Sequence, residues 1–111
     1  MDPRQYDIWL ADLNPRVGTE AGKTRPVVVV QTDLLNGVHP STLICPITSK
    51  VDRSIKLLRV HLKKGQLEKP SDILVDQIRA IDNSRLKMKL ASLTRDQTRT
   101  LKENLRIVLD L

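Results

Sequence analysis

The chain has 111 residues and a formal net charge of +6, from 19 Lys and Arg against 13 Asp and Glu. Its length fits a single domain over residues 1–111, and 40% hydrophobic with 29% charged residues is typical of a soluble globular protein. The basic excess suggests a polyanionic partner, but one Trp, one Tyr and no Phe exclude an aromatic platform for stacking bases. If this protein binds nucleic acid, it must use charge, hydrogen bonds and shape.

Short strands separated by turn residues are predicted over the first two-thirds of the chain. Tyr6–Leu13 is the first candidate, and Asn14–Pro15 followed by Gly18 marks a loop after it. The β-branched run 25–31 is too short for an independent helix and predicts a buried strand. Pro26 is allowed only near its start, because proline donates no N–H to a strand ladder. Further strands are predicted over 42–47 (broken or bulged at Pro46), over 57–62 (ended by Lys64–Gly65), and over 73–81 (one or two strands).

The last third of the chain changes to a helical period. Thr94, followed three residues later by Gln97, fits a capping box at the start of a helix. A short helical turn is predicted before it, over 84–88. Five or so short strands with a closing helix suggest a small, strongly bent sheet or barrel. The apolar stripe of the helix is predicted to be core, with contact across a dimer as the alternative; it consists of Leu101, Leu105, Val108 and Leu109.

Several classes of protein are excluded by what the chain contains. Its single cysteine, Cys45, excludes an internal disulfide and a multi-cysteine zinc site, and its apolar neighbours predict a buried, inert thiol. His39 and His61 lie in different segments with no ligand pattern nearby, so we expect no metal. The sequence has no Walker loop and no G-x-G-x-x-G, which argues against a nucleotide-hydrolysing enzyme, and we expect no cofactor. The first residues lack the apolar region of a signal peptide, and the valine run 27–30 is too short to span a bilayer. We therefore expect a cytoplasmic protein with no membrane partner.

The positive charge is concentrated in two segments. Residues 50–69 and residues 83–106 each hold seven basic and two acidic residues, a net +5 in each case. The first segment includes most of a basic loop, Ser49–Lys56. On charge alone, a solvated face is the simpler interpretation and a groove that follows phosphates is the alternative. Composition leaves both open.

Four sequence blocks together are much more specific than composition. Tyr6–Trp9 reads Y-D-I-W, residues 18–27 read G-T-E-A-G-K-T-R-P-V, and residues 46–48 read P-I-T. The fourth block, residues 71–82, reads S-D-I-L-V-D-Q-I-R-A-I-D and is followed by Arg85–Leu86. In this order the blocks resemble the MazF/PemK family of toxin endoribonucleases, and the resemblance covers nearly the whole chain.

This resemblance implies a fold, an activity and partners. The fold would be mainly β with a C-terminal helix, a small SH3-like barrel assembled as a homodimer. The activity would be metal-independent, sequence-specific cleavage of single-stranded RNA such as messenger RNA. The 2′-hydroxyl of the RNA would attack the phosphate, leaving a 2′,3′-cyclic phosphate and a 5′-hydroxyl end. A cognate antitoxin would cover the RNA groove of the dimer.

The resemblance also implies roles for individual residues. Arg25 and Thr48 match the catalytic positions of the family. A guanidinium is permanently charged and forks onto two phosphate oxygens, so Arg25 suits stabilisation of a phosphorane, and the Thr48 hydroxyl can donate to the same phosphate. Arg85 is expected to be structural and to tie its turn to the barrel. The predicted RNA-binding residues are Asn36, Ser71 and Gln77, at family positions near the groove, and Lys50, Arg53 and Lys56 on the basic loop.

The groups that move protons are less well defined by the sequence. Arginine is a poor general base because it is not deprotonated in proteins, and His39 and His61 match no catalytic position. Glu20 or Asp76 could act as an auxiliary base or acid; the alternative for each is a solvated carboxylate or an ion pair within its loop. In one branch of the family, an Arg lies two residues before an Asp that is used as an acid. Asp76 matches that Asp, but this chain has Leu74 in place of the Arg, so the acid–base scheme of the branch does not carry over as a whole.

Two other functions are compatible with the same pattern. A topoisomerase poison on this fold would act by binding alone and would have no need of Arg25 or Thr48. A nucleic-acid-binding adaptor would show salt-sensitive RNA binding without turnover.

Overall fold

The computed structural model describes residues 2–63 and 65–111; Met1 and Lys64 lie outside the described residues, so the predicted strand end at Lys64–Gly65 is described only from Gly65 onward. The described residues form strands, two 3-10 turns and one α-helix. The strands are β1 (Asp7–Asp12), β2 (Thr24–Val29), β3 (Ser41–Thr48), β4 (Arg59–Leu62), β5 (Ser71–Leu74), β6 (Arg79–Asp82) and β7 (Leu86–Ser92). The 3-10 turns are Val75–Gln77 and Asn83–Arg85, and the helix α1 is Arg95–Leu109.

All strand pairs are antiparallel, and β3 is the centre of the sheet. The strands follow the order β4-β5-β3-β2-β1-β7, and β6 also pairs with β3. One side of β3 pairs with β2, whereas the other pairs with β6 over Ser41–Ile44 and with β5 over Ile47–Thr48. The prediction that Pro46 breaks or bulges this strand is wrong, because β3 is continuous and its pairing with β2 passes through Pro46 without a register shift. Pro46 lies between the stretches that pair with β6 and with β5, where a missing N–H donor costs little.

Strand β2 is buried on both faces, which explains the valine run. Val28 packs into one cluster with Cys45 and Leu101, whereas its neighbours Val27 and Val29 pack into a second cluster on the opposite face. The prediction of a buried strand is therefore confirmed, with Pro26 near its start. Cys45 is buried as expected, and burial, with a smaller effect of the Asp76 charge, raises the pKa of its thiol to about 12.

The helix closes one face of the sheet and begins where the sequence predicts. The Thr94 hydroxyl accepts from the Gln97 N–H at 3.2 Å, and the Gln97 side chain accepts from the Thr94 N–H at 2.8 Å, which confirms the capping box. Leu101 is fully buried, and Leu105 and Val108 pack against the same cluster. The prediction that Leu109 is core is wrong: it is 46% exposed, because it lies about 80° around the helix from Leu101.

The region before the helix differs from its prediction. The helical turn expected over 84–88 is limited to the 3-10 turn Asn83–Arg85, and Leu86 begins an additional strand, β7, which pairs with β1. Met88 and Leu90 of this strand are exposed, so its strand conformation comes from pairing at the sheet edge and not from burial. The segment 73–81 does contain two strands, β5 and β6, separated by a 3-10 turn.

The architecture is thus mostly antiparallel β-sheet with one C-terminal helix, as the resemblance implies. Within residues 2–63 and 65–111, no helix is both long and apolar enough to cross a membrane.

Candidate active site

A cavity of about 760 Å³ opens where β2 begins and β3 ends. Its walls are Lys23–Pro26, Ile47–Lys50 and Gly65–Lys69 with Ser71, completed by Leu10 and Leu90. Four of the predicted site residues line this cavity: Arg25, Thr48, Lys50 and Ser71. Residues far apart in the chain therefore meet here because antiparallel pairing aligns the start of one strand with the end of its neighbour.

Arg25 is half-buried on β2 and is aimed by the loop that precedes it. Its Nε donates to the carbonyl oxygen of Gly22 at 2.7 Å. The remaining guanidinium N–H groups make no hydrogen bond to the residues that the structure describes, so they are available to an anion. Burial, and then the charge of Arg16, lower the pKa of Arg25, but an arginine remains charged at neutral pH.

Arg16 is a cation near Arg25 that the sequence analysis did not single out. A Cβ added to Gly22 would lie 2.6 Å from the Cβ of Arg16, so only glycine fits between Arg16 and the backbone that holds Arg25. Arg16 Nε donates to the carbonyl oxygen of Gly18 at 3.1 Å. Both arginines therefore contact the backbone at Gly22, although Arg16 itself does not line the cavity.

Thr48 is the last residue of β3 and is half-buried. Its Oγ1 accepts from the Lys50 N–H at 3.1 Å, which turns the chain into the basic loop. Because this bond uses the oxygen as acceptor, the hydroxyl proton is free to donate into the cavity. The turn also directs Lys50 to the cavity wall.

A buried carboxylate, Asp72, anchors the basic loop from the neighbouring strand. Asp72 pairs with Thr48 in register and accepts from the Asp52 N–H at 3.0 Å, from Arg59 Nη1 at 3.0 Å and from His61 Nδ1 at 2.6 Å. Arg59 Nη1 also donates to the Lys50 carbonyl oxygen at 2.7 Å. Burial opposes ionisation of Asp72, but these hydrogen bonds outweigh it and hold the pKa of the carboxyl below its usual value.

The loop before Arg25, residues 13–23, is held by different groups and is called the first loop below. The Gln77 Oε1 accepts from the Ala21 N–H at 2.8 Å, and its Nε2 donates to the Thr19 carbonyl oxygen at 3.3 Å. Arg85 Nη1 donates to the carbonyl oxygens of Asp12, at 3.0 Å, and Asn14. The structural role expected for Arg85 is confirmed, and the Gln77 amide is engaged with the first loop.

The other predicted site residues lie outside the cavity. Glu20 is exposed on the first loop, and Asp76 is exposed in the first 3-10 turn. Arg53 and Lys56 are exposed on the basic loop. Asn36 donates to the Gln31 carbonyl oxygen at 3.0 Å and to Asp33 Oδ1 at 2.9 Å, beside a separate small pocket. The structure therefore does not bring these five, or Gln77, to the cavity; their roles stay predictions.

The third wall of the cavity, residues 65–69, was not identified from the sequence. It contributes Gln66, Glu68 and Lys69. Lys69 belongs to the basic segment 50–69, and this concentration of charge was the indication of the wall that the sequence contained. No periodicity marks the segment, and only the folded structure shows that it lines the same cavity as Thr24 and Arg25. Asp72 gave only a weak indication in the sequence, as an acid directly before the apolar pair Ile73–Leu74.

Comparison with known proteins identifies the family. Residues 4–109 match the PemK-like, MazF-like toxins of type II toxin–antitoxin systems, so the chain belongs to that family. MazF from Deinococcus radiodurans is similar, with 26% identity and a TM-score of 0.87 over 100% of this chain and 99% of that one. MazF in a MazE–MazF structure from the same organism is 25% identical, with a TM-score of 0.80 over 98% and 96% of the two chains. An endoribonuclease in complex with its cognate antitoxin, from a mycobacterial species, shares the fold, with 17% identity and a TM-score of 0.80 over 98% and 96%.

Proposed function

We propose that this toxin is a sequence-specific endoribonuclease that cleaves single-stranded RNA, messenger RNA included, without a metal ion. The observation that carries the proposal is that Arg25 and Thr48, on separate strands, line one cavity. The family and the endoribonuclease with the same fold support it.

The cavity contains the groups that such a reaction needs. The 2′-oxygen of the RNA attacks the adjacent phosphorus, the bond to the 5′-oxygen breaks, and a 2′,3′-cyclic phosphate and a 5′-hydroxyl result. Extra negative charge develops on the phosphorane oxygens, and the free N–H groups of Arg25 can fork onto two of them. The Thr48 hydroxyl donates a hydrogen bond to the same phosphate. Both groups are held in place before the substrate arrives, which lowers the cost of reorganisation.

Substrate binding would rest on charge and polar groups. The side chains of Lys23, Lys50 and Lys69 line the cavity and would contact phosphates that flank the cleaved bond. Ser71, whose hydroxyl donates to the Lys69 carbonyl oxygen at 3.0 Å, offers its oxygen to a base edge. This agrees with the scarcity of aromatic residues in the chain.

We also propose a homodimer whose RNA groove is covered by a cognate antitoxin in the cytoplasm. The support is the family assignment and the MazE–MazF structure of a similar chain. The basic surface is complementary to an acidic antitoxin segment.

The test is digestion of unstructured RNA by the purified protein in EDTA, with the new ends mapped on a mixed RNA pool. We expect 2′,3′-cyclic phosphate and 5′-hydroxyl ends at a short recurrent sequence. Arg25→Ala should reduce the rate by about 10²–10³-fold, which is typical for loss of one charge-stabilising donor, and Thr48→Ala should also reduce it. Arg99→Ala, which removes an exposed arginine of α1, is the matched control and should cleave at the wild-type rate.

Each alternative has its own outcome in this test. Intact RNA after incubation with folded protein would contradict the proposal. Growth inhibition that survives Arg25→Ala would indicate a topoisomerase poison. Salt-sensitive RNA binding without any turnover would indicate an adaptor.

A further inference from the structure

Glu68 is the single acidic residue among the described residues that line the cavity. The charged groups around it are the cations Lys23, Arg25, Lys50 and Lys69. Cations and amides can donate to a phosphate, but they cannot take up a proton at neutral pH. The cavity as proposed therefore lacks an acceptor for the 2′-hydroxyl proton unless Glu68 supplies it.

The backbone on both sides of Glu68 is anchored. Leu67 packs against the core cluster under the helix, and its carbonyl oxygen accepts from the Gly65 N–H at 3.2 Å. On the other side, the Lys69 carbonyl oxygen accepts from the Ser71 hydroxyl at 3.0 Å. Glu68 is exposed to solvent, but it projects from a segment that is fixed at both neighbours.

A side-chain pair connects this segment to the helix. Gln66 Nε2 donates to Gln97 Oε1 at 2.8 Å, and Gln97 Nε2 donates back to Gln66 Oε1 at 2.6 Å. Gln66 Nε2 also donates to the Ser92 carbonyl oxygen at 2.8 Å. Because Gln97 is also part of the capping box, the start of α1 sets the position of the wall that carries Glu68.

The geometry points to Glu68 as the general base of the RNA cleavage proposed above, on which this inference rests. The Glu68 carboxylate takes the proton of the 2′-hydroxyl while the bond from the 2′-oxygen to phosphorus forms. The bond from phosphorus to the 5′-oxygen breaks, and that oxygen takes a proton from water. The hydroxide so formed removes the proton from Glu68, so that one proton has moved in net from the 2′-oxygen to the 5′-oxygen. General-base catalysis of this kind typically contributes about 10²–10⁴-fold in rate.

The decisive variant is Glu68→Gln, which keeps the shape of the side chain and removes its basicity. Single-turnover cleavage of an oligonucleotide that contains the mapped site is measured in EDTA from pH 4 to 8, with the fold checked by circular dichroism at each pH. We expect the rate at pH 7 to fall by at least about 10²-fold. RNA binding should be unchanged or tighter, since a negative charge leaves a cationic cavity. The acid limb of the pH profile should disappear.

Four further variants make the comparison specific. Glu103→Gln makes the same chemical change at an exposed position of α1 and should cleave like the wild type. Glu68→Asp retains a carboxylate and should keep the acid limb at a reduced rate. Glu20→Gln and Asp76→Asn test the competing carboxylates; loss of the acid limb in either of them, with Glu68→Gln unaffected, would overturn the inference.

A substrate with sulfur at the bridging 5′ position distinguishes a general base from a general acid. When the bridging 5′-oxygen is replaced by sulfur, the leaving group departs without needing a proton, so only removal of the 2′ proton still requires catalysis. A Glu68→Gln defect that persists on this substrate supports the base, whereas a defect that vanishes overturns it. A Glu68→Gln rate equal to wild type would also overturn it. RNA left intact by the wild-type protein would be a different result, because it would overturn the proposed function itself.

Discussion

The two loops that carry the site are anchored in chemically different ways. The first loop, which leads into Arg25, is held by the neutral amide of Gln77 and by the permanently charged Arg85. The basic loop, which follows Thr48, is held by the buried carboxylate of Asp72. Arginine and glutamine do not change protonation in the physiological range, whereas a carboxylate does so in acid. The position of Arg25 should therefore be insensitive to pH, and the position of the basic loop should depend on one ionised group.

The largest effect is expected from Asp72→Asn. The substitution removes the charge that accepts from Arg59, His61 and the Asp52 backbone, and it leaves buried donors without a charged partner. We expect the free energy of unfolding at pH 7 to fall by about 3 kcal/mol, measured by urea denaturation. Asp52→Asn, at an exposed position of the basic loop, keeps an oxygen that can accept from the Ser54 N–H, so it is the control and should change this free energy far less.

The pH dependence of the stability of Asp72→Asn tests whether the charge of Asp72 is the cause of the loss. The folded-state pKa of Asp72 lies below its ordinary value of 3.8, so its stabilising contribution is complete above that value and is lost as the pH falls through the folded pKa. The difference in free energy of unfolding between wild type and Asp72→Asn should therefore become smaller below about pH 4. A difference that stays constant there would mean that packing, and not charge, holds the basic loop.

An intermediate effect is expected from Gln77→Ala, which removes both hydrogen bonds from this side chain to the first loop. We expect a loss of about 1–2 kcal/mol in the free energy of unfolding and faster hydrogen exchange at the Ala21 amide, whose acceptor is gone. The cleavage sequence should stay the same. If the sequence changes while the Ala21 amide remains protected, Gln77 contacts bases, as the family resemblance implies.

The smallest effect distinguishes two positions on the basic loop. Lys50 lines the cavity and Arg53 does not. Lys50→Gln should reduce the slope of log RNA affinity against log salt by about 0.7, as expected for one phosphate contact with a single strand. Arg53→Gln should leave the slope nearly unchanged. Equal reductions in the two variants would show that the loop acts as a diffuse cationic surface, and a changed cleavage site would show that it contacts bases.

The elements with a local physical cause could be predicted from the sequence. The capping box at Thr94 depends on residues within one helical turn, and the run 25–31 is apolar on both faces because both faces of β2 are covered. The family blocks also marked Arg25 and Thr48, which share one cavity. Strand β7 was missed because exposed side chains give little burial signal and only its pairing with β1 makes it a strand.

The sequence by itself determined the class of fold, the family and the pair of residues proposed to act on the phosphate, since all three are contained in local patterns. Tertiary structure alone decided which polar groups surround that pair. The register of β3 with β5 sets Asp72 opposite Thr48, and the Gln66–Gln97 pair sets Glu68 on the cavity wall. These contacts join residues far apart in the chain, so they depend on strand pairing and helix docking, and no local periodicity encodes them.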